Sequence, residues 1–197
     1  NAGIGGGGAL EETPMDDLRH MMETNFFGPI DLMQRVVPEM RERGSGAILN
    51  VTSMNGLVAL APMMSYTASK YALEAATEVL AMEMKGFGVR VALIEPGVVM
   101  TPIFEKLSGS VPDMNSPYGK FYNALGRVTA RNLESAAMPD SIAKAMQEAV
   151  ETSEPRLRYV VGHDANKMVE DRSKITDEEW IALGALSEDG YASRIAS

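Results

Sequence analysis

A parallel, doubly wound α/β sheet is the fold that this 197-residue sequence predicts. Three observations predict it. Helix-like and strand-like apolar patterns alternate along the chain. The strand-like segments are short and continuously apolar, as strands covered on both faces are. Ser53 and the pair Pro96-Gly97 directly follow two of those segments, at the strand ends where open α/β sheets place their ligands.

In chain order, Asn1 to Gly8 (NAGIGGGG) reads as a loop. A phosphate-cradling glycine turn needs a strand before it and a helix directly after it, and neither pattern is present. Thr13-Pro14-Met15-Asp16 predicts a helix start, with Thr13 as cap, Pro14 at the first helical position and Asp16 at the acidic third. The helix is expected to run toward Arg43. Its apolar stripe is Met15, Leu18, Met22, Phe26, Ile30, Met33, Val37 and Met40, at spacings of three or four. Asn25 lies beside that stripe, and Pro29, four residues on, has no N–H for the Asn25 carbonyl. By itself this predicts a mild kink with Asn25 satisfied locally.

Gly44-Ser45-Gly46 ends the helix, and Ala47 to Thr52 (AILNVT) is the first main strand. Met54 to Met64 is an unusually apolar loop, either packed down or lining a pocket. Ser65 to Phe87 is the next helix. Leu73, Thr77, Leu80 and Met84 form one face, while Ala68, Ala72, Ala75 and Ala76 permit close approach of another element. Gly86 and Gly88 close it. Val89 to Glu95 (VRVALIE) is the second main strand. Residues 101–137 are long and mixed, as functional lids are, with a helical stretch near Tyr118 to Asn132. Met138 to Thr152 predicts a helix entered through Pro139 and Asp140, and Leu157 to Val161 a last strand. Thr176 and Glu179 form a capping box for a short helix around Trp180. His163, just past the last strand, is expected at the surface.

Composition narrows the function. Hydrophobic residues make up 45% of the chain, enough for one domain with a sizeable core. The net charge of −9, from 18 basic and 27 acidic residues without a basic cluster, argues against a nucleic-acid partner. The chain has no cysteine, and its two histidines, His20 and His163, lack ligand spacing, so neither a disulfide framework nor a metal centre is expected. The longest apolar runs fall short of a membrane span, and no signal segment opens the chain. A cytoplasmic protein is the expectation. The 15 methionines read as flexible core filling.

Tyr66 and Lys70 stand four apart at the start of the Ser65–Phe87 helix, one above the other on the same face. A neighbouring ammonium favours the phenolate, so the Tyr66 pKa is expected to fall toward the working pH, where a phenol becomes a usable acid or base.

These residues together resemble the short-chain dehydrogenase/reductase family, from Asn1 to roughly Thr101, with a weaker echo in RYVVGHDA near the end. Asn1-Ala2-Gly3 looks like the tail of the family's Asn-Asn-Ala-Gly. Asn25 stands 28 positions before Ser53, Ser53 in NVTSMNG stands 13 before Tyr66, and Tyr66 four before Lys70. PGVVMT at Pro96 to Thr101 is similar to the family's loop over the nicotinamide. The resemblance implies a Rossmann-like doubly wound parallel sheet, with NAD or NADP as cofactor and a small alcohol or ketone as substrate. It implies that Ser53 holds the substrate oxygen, that Tyr66 exchanges a proton with it, and that Lys70 binds the nicotinamide ribose and lowers the Tyr66 pKa. Asn25 would hold a relay water through its main-chain carbonyl. Asn1, Ala2, Gly3, Pro96, Gly97, Val99 and Thr101 would touch the cofactor.

The chain departs from the family in lacking its Thr-Gly-x-x-x-Gly-x-Gly turn. The expectation is a single partial domain, residues 1–197, carrying the family's strands 5, 6 and 7, with three βα units, on the order of 80 to 90 residues, missing ahead of it. Such a chain is expected to bind nicotinamide cofactors poorly and to be inactive alone. The apolar residues at Leu57 to Met64 and Phe104 to Leu125 point to a hydrophobic alcohol or ketone. A homodimer or homotetramer is expected at full length. The competing reading is a non-catalytic remnant that only oligomerises or binds a partner; epimerisation or dehydration of a sugar nucleotide has less room in the segment after PGVVMT.

Overall fold

The computed structural model describes residues 1–101, 107–108 and 112–196. Along the chain come β1 (Gly5–Gly6), α1 (Met15–Met22), a π-helical turn (Glu23–Phe27), α2 (Gly28–Arg43), β2 (Gly46–Val51), α3 (Met64–Met84) and β3 (Val89–Pro96). They are followed by β4 (Leu107–Ser108), α4 (Gly119–Leu133), α5 (Pro139–Glu151), β5 (Arg158–Val161), α6 (His163–Ser173), α7 (Asp177–Ala182) and α8 (Glu188–Ile195). β2, β3 and β5 form a parallel sheet in that order, with Gly46 opposite Val89 and Leu93 opposite Arg158. β1 and β4 make a separate two-residue parallel ladder. Among the described residues β2 pairs on one side only.

Helices cover both faces, as the sequence predicts. Alternation along each strand divides the residues between them. Ile48 and Val91 pack with Met33 and Val37 of α2 and with Leu73 and Leu80 of α3. Leu49, Val51, Ala92, Ile94, Tyr159 and Val161 point the other way, onto Ile142, Ala145, Met146 and Ala149 of α5. A further cluster joins Met54, Val58 and Leu60 after β2 to Val128 of α4, Met168 of α6 and Tyr191 and Ile195 of α8. It braces the loop that follows β2 from the C-terminal side.

Several expectations change. Thr13 does not cap α1: Pro14 is the boundary residue, and the Thr13 hydroxyl donates instead to the Ala9 carbonyl at 2.8 Å. The stripe from Met15 to Met40 is not one phase. Met15 is 57% exposed and Met21, outside the stripe, is buried, whereas Phe26, Ile30, Met33, Val37 and Met40 do face the core. The cause is the π turn, in which the Gly28 N–H reaches back to the Glu23 carbonyl and an extra residue advances the face by one position. Pro29, at the head of α2, thus follows a widened turn rather than a simple kink. The capping box at Thr176 and Glu179 is present, and His163 is exposed. Helices α6 and α8 are additions; α6 is polar over most of its length and buries only Asp164, Ala165 and Met168. Of the lid expected over residues 101–137, residues 102–106 and 109–111 lie outside the described part, and its helical stretch is α4. No described helix is long and apolar enough to cross a membrane.

Candidate active site

The C-terminal ends of β2 and β3 open onto a cavity of about 450 Å³. Its walls come from the Asn1–Gly6 loop, the turn after β2, the start of α3, the loop after β3, and α4 and α5. Ser53 reaches it because β2 ends at Val51 and the chain turns at once: the Ser53 hydroxyl accepts from the Asn55 N–H at 3.2 Å and caps the short Met54–Gly56 turn. Tyr66 and Lys70 reach it from the first turns of α3.

Ser53, Tyr66 and Lys70 are brought together. Ser53 stands beside the Tyr66 phenol, and both line the cavity. The Lys70 ammonium lies 5.6 Å from the centre of the Tyr66 ring and donates to the Val51 carbonyl at 3.2 Å. The expected lowering of the Tyr66 pKa by Lys70 is not found. Burial pushes the phenol above its ordinary value, and the neighbouring Ser53 hydroxyl opposes that rise without cancelling it. Lys70 is itself only 5% exposed, and burial lowers its amine to about 8, against a smaller upward pull from Glu74. Burial, not the ammonium, sets the direction of the Tyr66 shift.

Asn25 is buried, and its side chain is spent on structure: Oδ1 accepts from the Ile4 N–H at 2.9 Å, while Nδ2 donates to the Ile4 carbonyl at 3.0 Å and to the Ser69 hydroxyl at 3.1 Å. This two-way grip on the backbone of Ile4 holds the Asn1–Gly6 loop over the sheet. Gly3 sits between Asn25 and Lys70; a Cβ there would lie 3.4 Å from Asn25 Oδ1 and 3.9 Å from Lys70 Nζ. Asn1 and Gly3 line the cavity, whereas Ala2 is exposed and is not part of its wall. Pro96, Gly97, Val99 and Thr101 all line it.

Sequence reading missed Asp164. Its buried carboxylate accepts from the Val98 N–H at 2.7 Å, and a Cβ on Gly97 would collide with it. The loop after β3 is therefore fastened to the head of α6. Gly162, at φ 112° two residues before Asp164, turns the chain so that the carboxylate reaches back. The GHD triplet within RYVVGHDA was the available signal. Leu125 and Thr129 of α4 and Ile142 and Met146 of α5 also line the cavity and had no motif to reveal them.

Comparison with known proteins bears on this arrangement. Residues 1–111 match the family model described as short chain dehydrogenase. The oxidoreductase YusZ of Bacillus subtilis, itself described as uncharacterized, is 35% identical over 187 residues, covering 93% of this chain and 67% of that protein. Human 17-beta-hydroxysteroid dehydrogenase type 1 is 35% identical over 164 residues, covering 81% of this chain and half of that protein. A crystal structure of a short-chain dehydrogenase from Streptomyces avermitilis superposes with a TM-score of 0.76 at 33% identity, over 93% of this chain and 68% of the other. The chain thus spans from half to about two thirds of the length of these relatives. The matched segment contains the cavity's Ser53, Tyr66, Lys70 and Pro96–Thr101, and by that match the chain belongs to the short-chain dehydrogenase family.

Proposed function

We propose that this chain belongs to an oxidoreductase that transfers a hydride between NAD or NADP and a hydrophobic alcohol or ketone. The observation that carries the reading is that Ser53, Tyr66 and Lys70 line one cavity at the C-terminal ends of β2 and β3. Two hydroxyls so placed can converge on one carbonyl oxygen. Ser53 holds that oxygen. Tyr66, kept protonated by burial at neutral pH, gives it a proton during ketone reduction; in the reverse direction its phenolate takes the proton from the alcohol.

The residues present fit the nicotinamide end of such a cofactor. Lys70 has one protein acceptor, the Val51 carbonyl, and an ammonium carries three donors, which leaves capacity for a ribose hydroxyl. The absence of a Cβ at Gly3 keeps the approach to Lys70 open. Asn1 and Gly3 on one side, and Pro96, Gly97, Val99 and Thr101 on the other, frame the site. The bound cofactor supplies or accepts the hydride; the chain orients it and excludes water. The Asn25 main-chain carbonyl, which Pro29 cannot serve, is assigned a relay water. The apolar wall of Met54, Leu60, Met63, Leu125, Ile142 and Met146 supports a hydrophobic substrate. The exposure of Ala68 and Ala75 on α3 supports self-association.

Titration of the 197-residue chain with NADH and NADPH comes first. Weak or absent binding is expected, and micromolar binding overturns the expectation of a cofactor-poor fragment. In a chain extended to the length of its relatives, Tyr66→Phe is expected to lower kcat at least ~100-fold toward hydrophobic ketones. Unchanged turnover removes Tyr66 from the mechanism. No turnover by the extended chain before mutation favours the second reading, a binding or oligomerisation module, for which the same exposed α3 surface is the supporting observation.

A further inference from the structure

Directly behind the cavity, β2, β3, β5 and α3 bury a carboxyl pair. Glu74 lies one helical turn beyond Lys70 and is 4% exposed; Glu95, the last residue before Pro96-Gly97, is fully buried. Arg158 of β5 faces both, its Nε 3.2 Å from Glu74 Oε2 and 3.2 Å from Glu95 Oε1, while its Nη2 bonds the more exposed Glu78 at 2.7 Å. One guanidinium therefore serves three carboxyl groups. Both Glu95 oxygens are buried without a well-formed hydrogen bond to any donor, and the neighbouring acceptor is the Glu74 carboxyl. Two carboxylates have no proton to offer one another. With a single proton between them they bond, which gives one Glu95 oxygen a partner, while Arg158 faces Oε1.

The pair is also connected to the reacting side. The Thr52 hydroxyl, one residue before Ser53, donates to Glu74 Oε1 at 2.5 Å. A Cβ on Gly56 would lie 2.8 Å from Glu74 Cγ, so the Ser53–Gly56 turn rests on the Glu74 side chain. We propose that Glu74 and Glu95 share one proton and that this singly charged pair, facing Arg158, is the seat of the Ser53 turn, making Glu74 and Glu95 positioning residues. Their importance for turnover rests on the role given to Ser53 above; the shared proton does not.

Burial and the facing carboxylate push Glu95 up to about 8, in keeping with a proton retained at neutral pH. The described groups that face the pair are Lys70, Tyr71 and Glu78 on α3, Thr52 after β2 and Arg158 on β5, with Arg172 and Asp177 acting on Tyr71 from farther out. Lys70 and Arg158 favour the second ionisation, while Glu78 disfavours it. Loss of the shared proton would place two adjoining charges under Thr52 and loosen the turn.

The test uses the 197-residue chain labelled with 13C-glutamate and needs no cofactor. Carboxyl NMR resonances are followed from pH 5 to 10, with hydrogen exchange of the Asn55 and Gly56 amides measured against their intrinsic rates. One glutamate resonance is expected to titrate far above the rest, and protection of the two amides should fall roughly tenfold or more through the same pH range. Glu95→Gln, which keeps a donor for Glu74 but cannot ionise, should abolish that titration and hold protection level. Ordinary titration of every glutamate in the unmutated chain, or persistence of the high one in Glu95→Gln, overturns the shared proton. Amide protection that ignores the titration overturns the positioning role, and leaves the assignment of Ser53 to the turnover experiment.

Discussion

The two faces of the central sheet are built on different terms. Toward α5 the strands present Leu49, Val51, Ala92, Ile94, Tyr159 and Val161, an almost wholly apolar surface. Toward α3 they present Asn50, Thr52, Glu95 and Arg158, against Lys70, Glu74 and Thr77. Both faces are buried, and beyond the apolar Ile48 and Val91 the polar groups of the second are held by specific partners. Asn50 donates to the Thr77 hydroxyl at 2.7 Å and to the Met33 sulfur at 3.1 Å, and Lys70 relies on the Val51 carbonyl. The apolar face is stabilised by area and is indifferent to pH. The polar face trades stability for groups that can titrate, and it leads to Ser53 and Tyr66.

That contrast can be broken most sharply on the apolar side. Ile94 is fully buried, and Ile94→Ala is expected to cost about 2–5 kcal/mol in urea denaturation. The loss should be the same at pH 6 and pH 9; a pH-dependent loss would mean that the faces are coupled.

On the polar side the sign reverses. Lys70 has a folded pKa of about 8, below the ordinary 10.5. The unfolded chain therefore holds the extra proton between those values, and stability rises as pH climbs from about 8 to 10.5. Below pH 8 the folded state carries the full cost of a buried charge. Lys70→Met should remove that cost, stabilising the chain at pH 7 by on the order of 3 kcal/mol, with the gain fading above pH 10. Destabilisation at pH 7 would show that the ammonium's bond to Val51 outweighs its burial. The smallest effect is expected at Asn50→Leu, about 1 kcal/mol by thermal melting, because Thr77 keeps its bond to the Leu73 carbonyl at 2.7 Å.

The faces also differ in how much of them could be read from the sequence. Continuous apolar runs at Ala47 to Thr52 and Val89 to Glu95 announced strands covered on both sides, and the structure places them within a residue of the expected bounds. Tyr66, Lys70 and Ser53 were legible because helical spacing and strand ends constrain where such side chains point. Glu74, Glu95 and Asp164 were not, since a lone acidic residue in a sequence looks solvated until its neighbours are known. The Tyr66 pKa went the wrong way for the same reason: helical spacing announces the lysine beside the phenol but not the burial that weakens both. The π turn escaped notice because Pro29 signals an interrupted helix without fixing the form of the interruption.

Far from the cavity, Gly44 and Gly88 close the helices ahead of β2 and β3 at φ 69° and 70°, and a Cβ on Gly88 would run into the Gly44 carbonyl. The two strands therefore leave the same floor, which fixes Gly46 opposite Val89. Slipping that floor by a single residue would exchange the alternating sides of β2, turning Leu49 and Val51 toward α3 and carrying Ser53 off the phenol. Aim at the mouth of the sheet is thus decided at its foot, by two residues without side chains.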